Sequence, residues 1–143
     1  MELKELSKEL KALDGHISEI LEKTGFSENE SLGEIEADRS NPENLLLLEE
    51  YSNILYKLQA IDNTLLYLSR PTTPAGRLEK QENGRFTLGN IELTCGNSLE
   101  VLIFDEYQER YKWLSSRIEH NGQDYYIVGY DGRPDGLKAR IRK

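Results

Sequence analysis

The stretch Arg70-Pro-Thr-Thr-Pro-Ala-Gly-Arg77 divides the sequence into two parts with different hydrophobic periods. Prolines and glycine so close together are typical of a break between elements, so we predict a linker over residues 71–84. Before it, apolar residues recur at steps of three and four, as in helices; after it, they form short runs between turn residues, as in strands. The sequence therefore predicts an α+β protein, helical over residues 1–70 and with a small β-domain over residues 85–143.

Two heptad patterns define the helical part. The first runs through Leu3, Leu6, Leu10, Leu13, Ile17 and Ile20, and the second through Leu47, Tyr51, Ile54, Leu58, Ile61, Leu65 and Leu68. Ser40 or Asn41 can cap the second helix, whose end we place near Ser69 because Pro71 disfavours helical geometry before it. The polar stretch 24–41 is expected to be a long loop, with a helical turn around residues 32–37. The pattern predicts an antiparallel, coiled-coil-like helical hairpin.

The second helix has a wider apolar face than one short partner helix can cover, because Leu48, Leu55 and Leu66 flank its heptad stripe. The surplus can dock on the β-domain, join two hairpins into a four-helix bundle, or bind a helix of another protein. The sequence leaves these three alternatives open.

Short strands separated by turn signals make up the β-domain. Gly89-Asn90 and Asn121-Gly122 are both typical two-residue hairpin turns, and residues 105–110 form a charged loop. We expect strands at residues 85–88, 91–94, 99–104, 112–120, 124–130 and 137–142. This number of short strands predicts a small SH3-like β-barrel or a compact antiparallel sheet.

A two-residue turn at Asn121-Gly122 would fix the pairing across the hairpin. It would place Arg117 opposite Tyr126 and Trp113 opposite Tyr130, on the face turned away from Ile118. Cation–aromatic clusters of this kind anchor protein interfaces. We therefore predict a partner-binding site at Trp113, Arg117, Tyr126 and Tyr130, with packing of Trp113 under the helices as the alternative.

The C-terminus is basic. Lys138, Arg140 and Arg142 alternate with apolar residues, so a last strand would carry them on one side, with Arg133 in the preceding turn. Such a row can bind phosphates of a nucleic acid, and it can equally pair with acidic side chains or stay in water.

The composition favours binding over catalysis. No nucleophile motif, phosphate-binding loop or spaced ligand set accompanies the two histidines, so we predict no enzyme, no metal and no cofactor. A single cysteine, Cys95, excludes an internal disulfide and is expected to be buried. Without a signal sequence or an apolar run long enough for a bilayer, the protein is expected to be cytoplasmic and not membrane-bound.

The excess negative charge is confined to one part of the chain. Residues 1–82 contain 17 Asp and Glu against 9 Lys and Arg, whereas residues 83–143 contain 9 of each. An acidic surface repels nucleic acid and suits a basic protein partner, or it keeps the chain soluble.

Five stretches of the β-domain carry a resemblance, at residues 84–88, 91–96, 99–101, 113–120 and 136–142. In these stretches the chain resembles a short domain of unknown function from plasmids, integrative elements and phages of low-GC Gram-positive bacteria. The resemblance implies an accessory protein of a mobile element, and small acidic proteins of such elements often inhibit host defence nucleases or act in transfer and replication. It brings no known activity or binding residues.

Together these observations predict a non-enzymatic interaction protein with a protein partner. The sharpest version is an inhibitor of a host defence nuclease, of the anti-CRISPR or anti-restriction type. The alternatives are a nucleic-acid-binding accessory factor that uses the basic C-terminal strand, and a structural adaptor that homodimerises through its helical hairpin.

Overall fold

The computed structural model describes all residues from Met1 to Lys143 and contains two units, Met1–Ser69 and Arg70–Lys143. The first unit is helical and the second is built of strands, so the predicted α+β class is confirmed. No helix is both long enough and apolar enough to cross a bilayer.

The helical unit contains α1 (Leu3–Lys23), the single turn α2 (Phe26–Asn29) and α3 (Pro42–Ser69). Contacts between α1 and α3 run in opposite directions along the two helices: Ser18 donates a hydrogen bond to Asp62 at 2.7 Å, whereas Phe26, beyond the end of α1, packs edge-on against Tyr56 with ring centres 4.9 Å apart. The predicted antiparallel hairpin is therefore confirmed.

The structure shows which of the two predicted residues, Ser40 or Asn41, caps the N-terminus of α3. The Asn41 side chain accepts a hydrogen bond from the Glu43 amide at 2.9 Å, which satisfies a free N–H of the first turn, whereas the Ser40 hydroxyl donates to Asp38. The helix ends at Ser69, as expected from Pro71.

The connection between α1 and α3 differs from the predicted loop. Its helical turn is α2 at residues 26–29 rather than residues 32–37, because Phe26 is buried and fixes the chain there. The Arg39 guanidinium then closes the connection by donating to the carbonyl groups of Leu32, Gly33 and Ile35 at 2.9–3.2 Å.

The β-unit contains two antiparallel sheets. The larger has the order β1-β8-β5-β6-β7, formed by β1 (Thr72–Arg77), β8 (Lys138–Arg142), β5 (Ser98–Asp105), β6 (Arg110–His120) and β7 (Tyr125–Ile127). The smaller has the order β2-β3-β4, formed by β2 (Glu79–Lys80), β3 (Phe86–Leu88) and β4 (Ile91–Glu92). Strands β1 and β7 are the two edges of the larger sheet, so the barrel alternative is wrong and the compact antiparallel sheet is right.

One hydrophobic cluster joins the two sheets. Its buried members come from both of them and from the segments between the strands: Leu78, Phe86, Leu88, Leu93, Leu99, Val101, Ile118, Ile127 and Ala139. The two-residue turn predicted at Gly89-Asn90 is confirmed, since Leu88 pairs with Ile91.

Residues 71–84, assigned above to a linker, contain β1 and β2. Proline lacks the N–H that a strand ladder needs, which is why the sequence argued against a strand here. The structure accommodates Pro74 because β1 is an edge strand and its register with β8 shifts between Thr72 and Ala75.

A carboxyl pair lies between the two long helices. Asp14 on α1 faces Asp62 on α3, and the Asp14 Oδ1 atom is buried without a hydrogen-bond partner. Burial, followed by the hydrogen bond and the charge of Asp62, raises the pKa of Asp14 above its ordinary value. Ionisation of Asp14 is therefore less favourable in the folded than in the unfolded chain.

We predict that Asp14→Asn stabilises the helical unit at pH 7. The raised pKa means that stability is lost as the pH rises from the unfolded pKa through the folded pKa, and asparagine removes this loss while its amide can still donate to Asp62. The expected gain in unfolding free energy is on the order of 1 kcal/mol, and it should vanish near pH 3. The measurement is urea unfolding followed by far-UV circular dichroism, with the exposed Glu9→Gln on α1 as control. Equal effects of the two substitutions at both pH values would contradict the prediction.

Candidate functional site

The larger sheet has one apolar face and one mixed face. Val101 and Ile118 point into the hydrophobic cluster, and because successive side chains of a strand alternate, Glu100 and Leu102 point to the other side. The mixed face is made of alternate residues of β5 and the β6 residues opposite them: Ser98, Glu100, Leu102 and Phe104 with Arg117, Ser115, Trp113 and Tyr111.

A buried carboxylate lies at the centre of the mixed face. Glu100 is only 6% exposed, and both arginines of β8 bind it. Arg140 Nε donates to Glu100 Oε1 at 2.6 Å, while Arg142 donates from Nε to Oε2 at 3.1 Å and from Nη2 to Oε1 at 3.3 Å. We call these three residues the Glu100 clamp. Charge-assisted hydrogen bonds of this kind are among the strongest in proteins, and they offset the desolvation of the carboxylate.

Trp113 extends the Glu100 clamp across the sheet. It lies opposite Leu102 on β6, half-buried, and the guanidinium carbon of Arg140 is 3.8 Å from the centre of its ring. The ring face attracts the guanidinium charge, so Arg140 is held by Glu100 and by Trp113 together. The cation that contacts Trp113 is thus Arg140 rather than the predicted Arg117.

The basic C-terminal row has the predicted alternation but not free charges. Arg140 and Arg142 flank the half-buried Ile141 and lie on the mixed face, where both bind Glu100; Lys138 is exposed. A phosphate would have to compete with this internal carboxylate for the two guanidinium groups. Arg133 lies elsewhere, on the loop between β7 and β8.

The surroundings of Arg133 are mixed in charge. The side chain lines a cavity of about 470 Å³ together with Lys80, Asp124, Asp131 and Asp135. Acidic side chains therefore outnumber basic ones around the cavity, which does not favour phosphate binding there.

The hairpin between β6 and β7 differs from the predicted register. Ile118 pairs with Ile127 and Glu119 with Tyr126, so the connection has four residues, Asn121 to Asp124, instead of two. The predicted pairs of Arg117 with Tyr126 and of Trp113 with Tyr130 are therefore wrong. A shift by two residues keeps every side chain on its predicted face, which is why Ile118 and Ile127 are buried as expected.

Hydrogen bonds and charges explain the longer turn. The Asn121 side chain accepts hydrogen bonds from the amides of Gln123 and Asp124, both at 2.9 Å, and Gly122 takes a φ of +95°. The two-residue turn would place Glu119 opposite Asp124, a like-charge pair. In the observed register Glu119 faces Tyr126 instead, and Asp124 lies 3.5 Å from Lys80 Nζ.

The structure does not bring the four predicted partner-binding residues together. Trp113 is covered by Arg140, and Arg117 forms an ion pair with Glu119 at 2.9 Å. Tyr130 packs against the hydrophobic cluster, whereas Tyr126 is exposed on β7.

A different aromatic surface lies at the end of the β5–β6 hairpin. Strand β8 pairs with β5 only at Glu100 and Val101, and β7 pairs with β6 only from Ile118 onward. The stretch from Leu102 to Trp113 is therefore a two-stranded ribbon without a third strand, and we call it the aromatic ribbon.

Three exposed rings mark the aromatic ribbon. Phe104 and Tyr111 pair across the strands with ring centres 5.2 Å apart and planes at 67°, and Tyr107 lies in the loop between them. They are 50%, 69% and 97% exposed, respectively. Rings at this degree of exposure are costly in water and are typical of interface anchors.

Asp105 fixes the loop of the aromatic ribbon. Its Oδ1 accepts hydrogen bonds from the amides of Tyr107 and Gln108 at 3.0 and 3.1 Å, and its Oδ2 lies 2.8 Å from Lys112 Nζ. The hydrogen bond from Lys112, with those from the two amides, holds the pKa of Asp105 below its ordinary value. The rings are thus presented on a loop with a defined shape.

Sequence reasoning does not find this surface, because the sequence predicts only a charged loop at residues 105–110. The available signal was positional: Phe104 and Tyr111 are equally far from the middle of that loop, so antiparallel pairing places them side by side.

Cys95 is exposed, whereas the sequence predicts a buried thiol. It lies in a tight turn that is closed by a hydrogen bond from the Thr94 amide to the Asn97 side chain.

The comparisons with known proteins support only the family of the β-unit. Residues 76–141 match the sequence model of a family described as a domain of unknown function, DUF5348. The matched residues make up just under half of the chain. The predicted resemblance to a domain of unknown function is thereby confirmed for the C-terminal part. No curated protein and no solved structure matches the chain significantly.

We predict that Glu100→Gln destabilises the β-unit by about 3 kcal/mol, because it leaves two largely buried guanidinium groups without a counter-charge. The matched control is Glu92→Gln, which breaks an ion pair of the same length, 2.6 Å to Arg85, but at the surface. Its expected effect is much smaller, because an ion pair between exposed side chains contributes little to stability. Urea unfolding gives both values, and similar losses for the two variants would contradict a special role of the clamp.

Proposed function

We propose that this protein is a non-enzymatic interaction protein that binds another protein through its aromatic ribbon. The observation that carries the proposal is the set of three exposed rings, Phe104, Tyr107 and Tyr111, on a strand pair that no third strand covers. Tyrosine and phenylalanine are enriched at interface centres because they bury a large area at a small loss of side-chain entropy.

The ribbon needs little reorganisation to bind. Residues 102–105 of β5 pair with residues 110–113 of β6. Asp105 fixes the loop between them by accepting hydrogen bonds from two backbone amides and by its ion pair with Lys112. Binding by a preorganised surface avoids much of the ordering entropy that weakens flexible loops. The ribbon can therefore enter a concave pocket of a partner as a preformed element.

Charge favours a partner with a basic surface around that pocket. Glu106 and Glu109 flank Tyr107 and form no ion pair within the chain, whereas Asp105 is neutralised by Lys112. The helical unit adds 15 Asp and Glu against 6 Lys and Arg. Complementary charge accelerates association and selects among partners.

Basic surfaces are common on proteins that handle nucleic acids, so the charge agrees with the narrower hypothesis of a host defence nuclease as the target. Beyond this charge, that hypothesis rests on the resemblance to mobile-element proteins, and it stays a prediction. Purified restriction and CRISPR nucleases can test it directly: inhibition of DNA cleavage at equimolar protein would support it, and unchanged cleavage at tenfold excess would exclude those targets.

The decisive experiment for the aromatic ribbon is a comparison of captures from a nuclease-treated lysate of Gram-positive cells. Immobilised full-length protein carries either the native ribbon, the triple substitution Phe104→Thr, Tyr107→Ser and Tyr111→Thr, or the control Tyr107→Phe. We expect one protein at near-stoichiometric amounts with the native ribbon and the control, and at least tenfold less with the triple variant. All three rings are exposed, so the fold should be unchanged by circular dichroism.

Equal capture by the native and triple variants would refute binding through the ribbon. Capture from an untreated lysate that is absent from the nuclease-treated one would instead favour the nucleic-acid-binding alternative. In that case Lys138→Glu should reduce nucleic-acid binding in proportion to one lost phosphate contact.

A further inference from the structure

The helical unit leaves a second apolar surface uncovered. Along α3, Leu47, Ile54, Ile61 and Leu68 follow one another at steps of seven residues and remain between 41% and 57% exposed. Steps of seven place these side chains on one flank of the helix. This flank lies beside Leu55, which packs against α1. We call them the α3 stripe.

The first helix has a matching stripe on the same side of the hairpin. Leu6, Leu13 and Ile20 also follow at steps of seven and are partly exposed. Between the two stripes lies a groove of about 390 Å³, lined by Ile20 of α1 and by Tyr51, Ile54 and Leu58 of α3 together with residues of the connection. One member of each stripe, Ile20 and Ile54, lines this groove, so the two stripes meet there in one apolar surface.

We propose that a second copy of this chain covers this surface, so that two hairpins form a four-helix bundle. A seven-residue repeat is the spacing of helices that pack along their whole length with a left-handed crossing. Within the unit, only Ile17, Leu21, Phe26, Leu32 and Leu55 are buried, so most side chains of the repeat stay partly exposed in the monomer. In a dimer with a twofold axis, the same residues of the second copy would face this surface with the same seven-residue spacing.

The distribution of charge permits this pairing despite the acidic character of the unit. From Tyr51 to Ser69, α3 contains only Lys57 and Asp62 as ionised side chains, one of each sign. Most of the acidic excess lies on the connection and at the start of α3, since residues 24–50 contain eight Asp and Glu against one Arg, whereas α1 contains five against four Lys. Two copies can therefore meet along the C-terminal two-thirds of α3 without bringing their acidic excess together, whereas a basic foreign helix would gain little there.

The available area is sufficient for a specific dimer. Seven side chains contribute to this surface, and each still exposes roughly 100 Å²: the four of the α3 stripe, Tyr51, Leu13 and Ile20. Two copies would therefore bury on the order of 1,200 Å² or more in total, which is the lower range of specific interfaces. Most of that area is aliphatic, which is typical of permanent homodimers.

Sedimentation equilibrium of the full-length chain between 1 and 100 µM tests the proposal. We expect a particle of twice the 16.5 kDa chain mass, and a monomer for the double substitution Ile54→Glu and Ile61→Glu, with dimerisation weakened at least 100-fold. Leu45→Glu is the matched control, since Leu45 and Ile54 are both 49% exposed but lie nine residues apart, on opposite sides of α3. Leu45→Glu should remain a dimer.

A second variant keeps the test valid if the two glutamates reduce helicity. Ile54→Ala with Ile61→Ala preserves helix propensity and should still shift the dimer toward monomer at 1 µM. A native chain that is monomeric at 100 µM, or a dimer weakened equally by Leu45→Glu, would overturn the proposal. Capture through the aromatic ribbon is measured on other residues, so the two proposals can fail independently.

Discussion

The β-unit depends on how its last strand is held in the middle of the larger sheet. Strand β8 lies between β1 and β5, yet its ladder with β5 comprises only Glu100 with Arg140 and Val101 with Ala139. The Glu100 clamp acts at this short ladder. A slip of β8 by one residue would turn both arginines into the hydrophobic cluster and leave a buried carboxylate unpaired, so the ion pairs fix the register as well as the strand order. Strand β1 in turn pairs with β8, and the edge of the sheet follows from the same contact.

The two units show different limits of sequence reasoning. Heptad spacing and the proline after Ser69 were sufficient for α1, α3 and the antiparallel hairpin, because helices are specified by local patterns. The register of the β6–β7 hairpin was missed because Asn121-Gly122 fits a two-residue turn and a longer one, and the choice depends on Glu119, Asp124 and Lys80 together. The role of Arg140 and Arg142 could have been inferred, since a charged residue between Leu99 and Val101 in an aliphatic strand needs a counter-charge. The sequence alone does not show which residues supply the counter-charge, because this depends on the strand order.

The protein carries two apolar surfaces of different character. The aromatic ribbon presents three rings on a preformed loop, whereas the groove between the α1 and α3 stripes is broad and mainly aliphatic. Rings on a narrow projection suit insertion into a foreign pocket, and a long aliphatic stripe suits packing against a helix of equal pitch. The first kind of surface selects a partner by shape, and the second contributes area and stability. The wide apolar face of α3 is expected from the sequence, whereas the aromatic ribbon is not the aromatic site expected there, because Trp113 is covered by Arg140.

The position of Trp113 has a consequence for spectroscopy. It is the only tryptophan of the chain, it lies in the β-unit, and the Arg140 guanidinium covers its ring. Indole emission therefore originates from one unit alone, while ellipticity near 222 nm is dominated by α1 and α3. The two signals follow separate parts of the same molecule without any label, and non-coincident transitions would reveal that the units unfold independently. Because the indole contacts Arg140 of the Glu100 clamp, its emission would also report the loss of that contact.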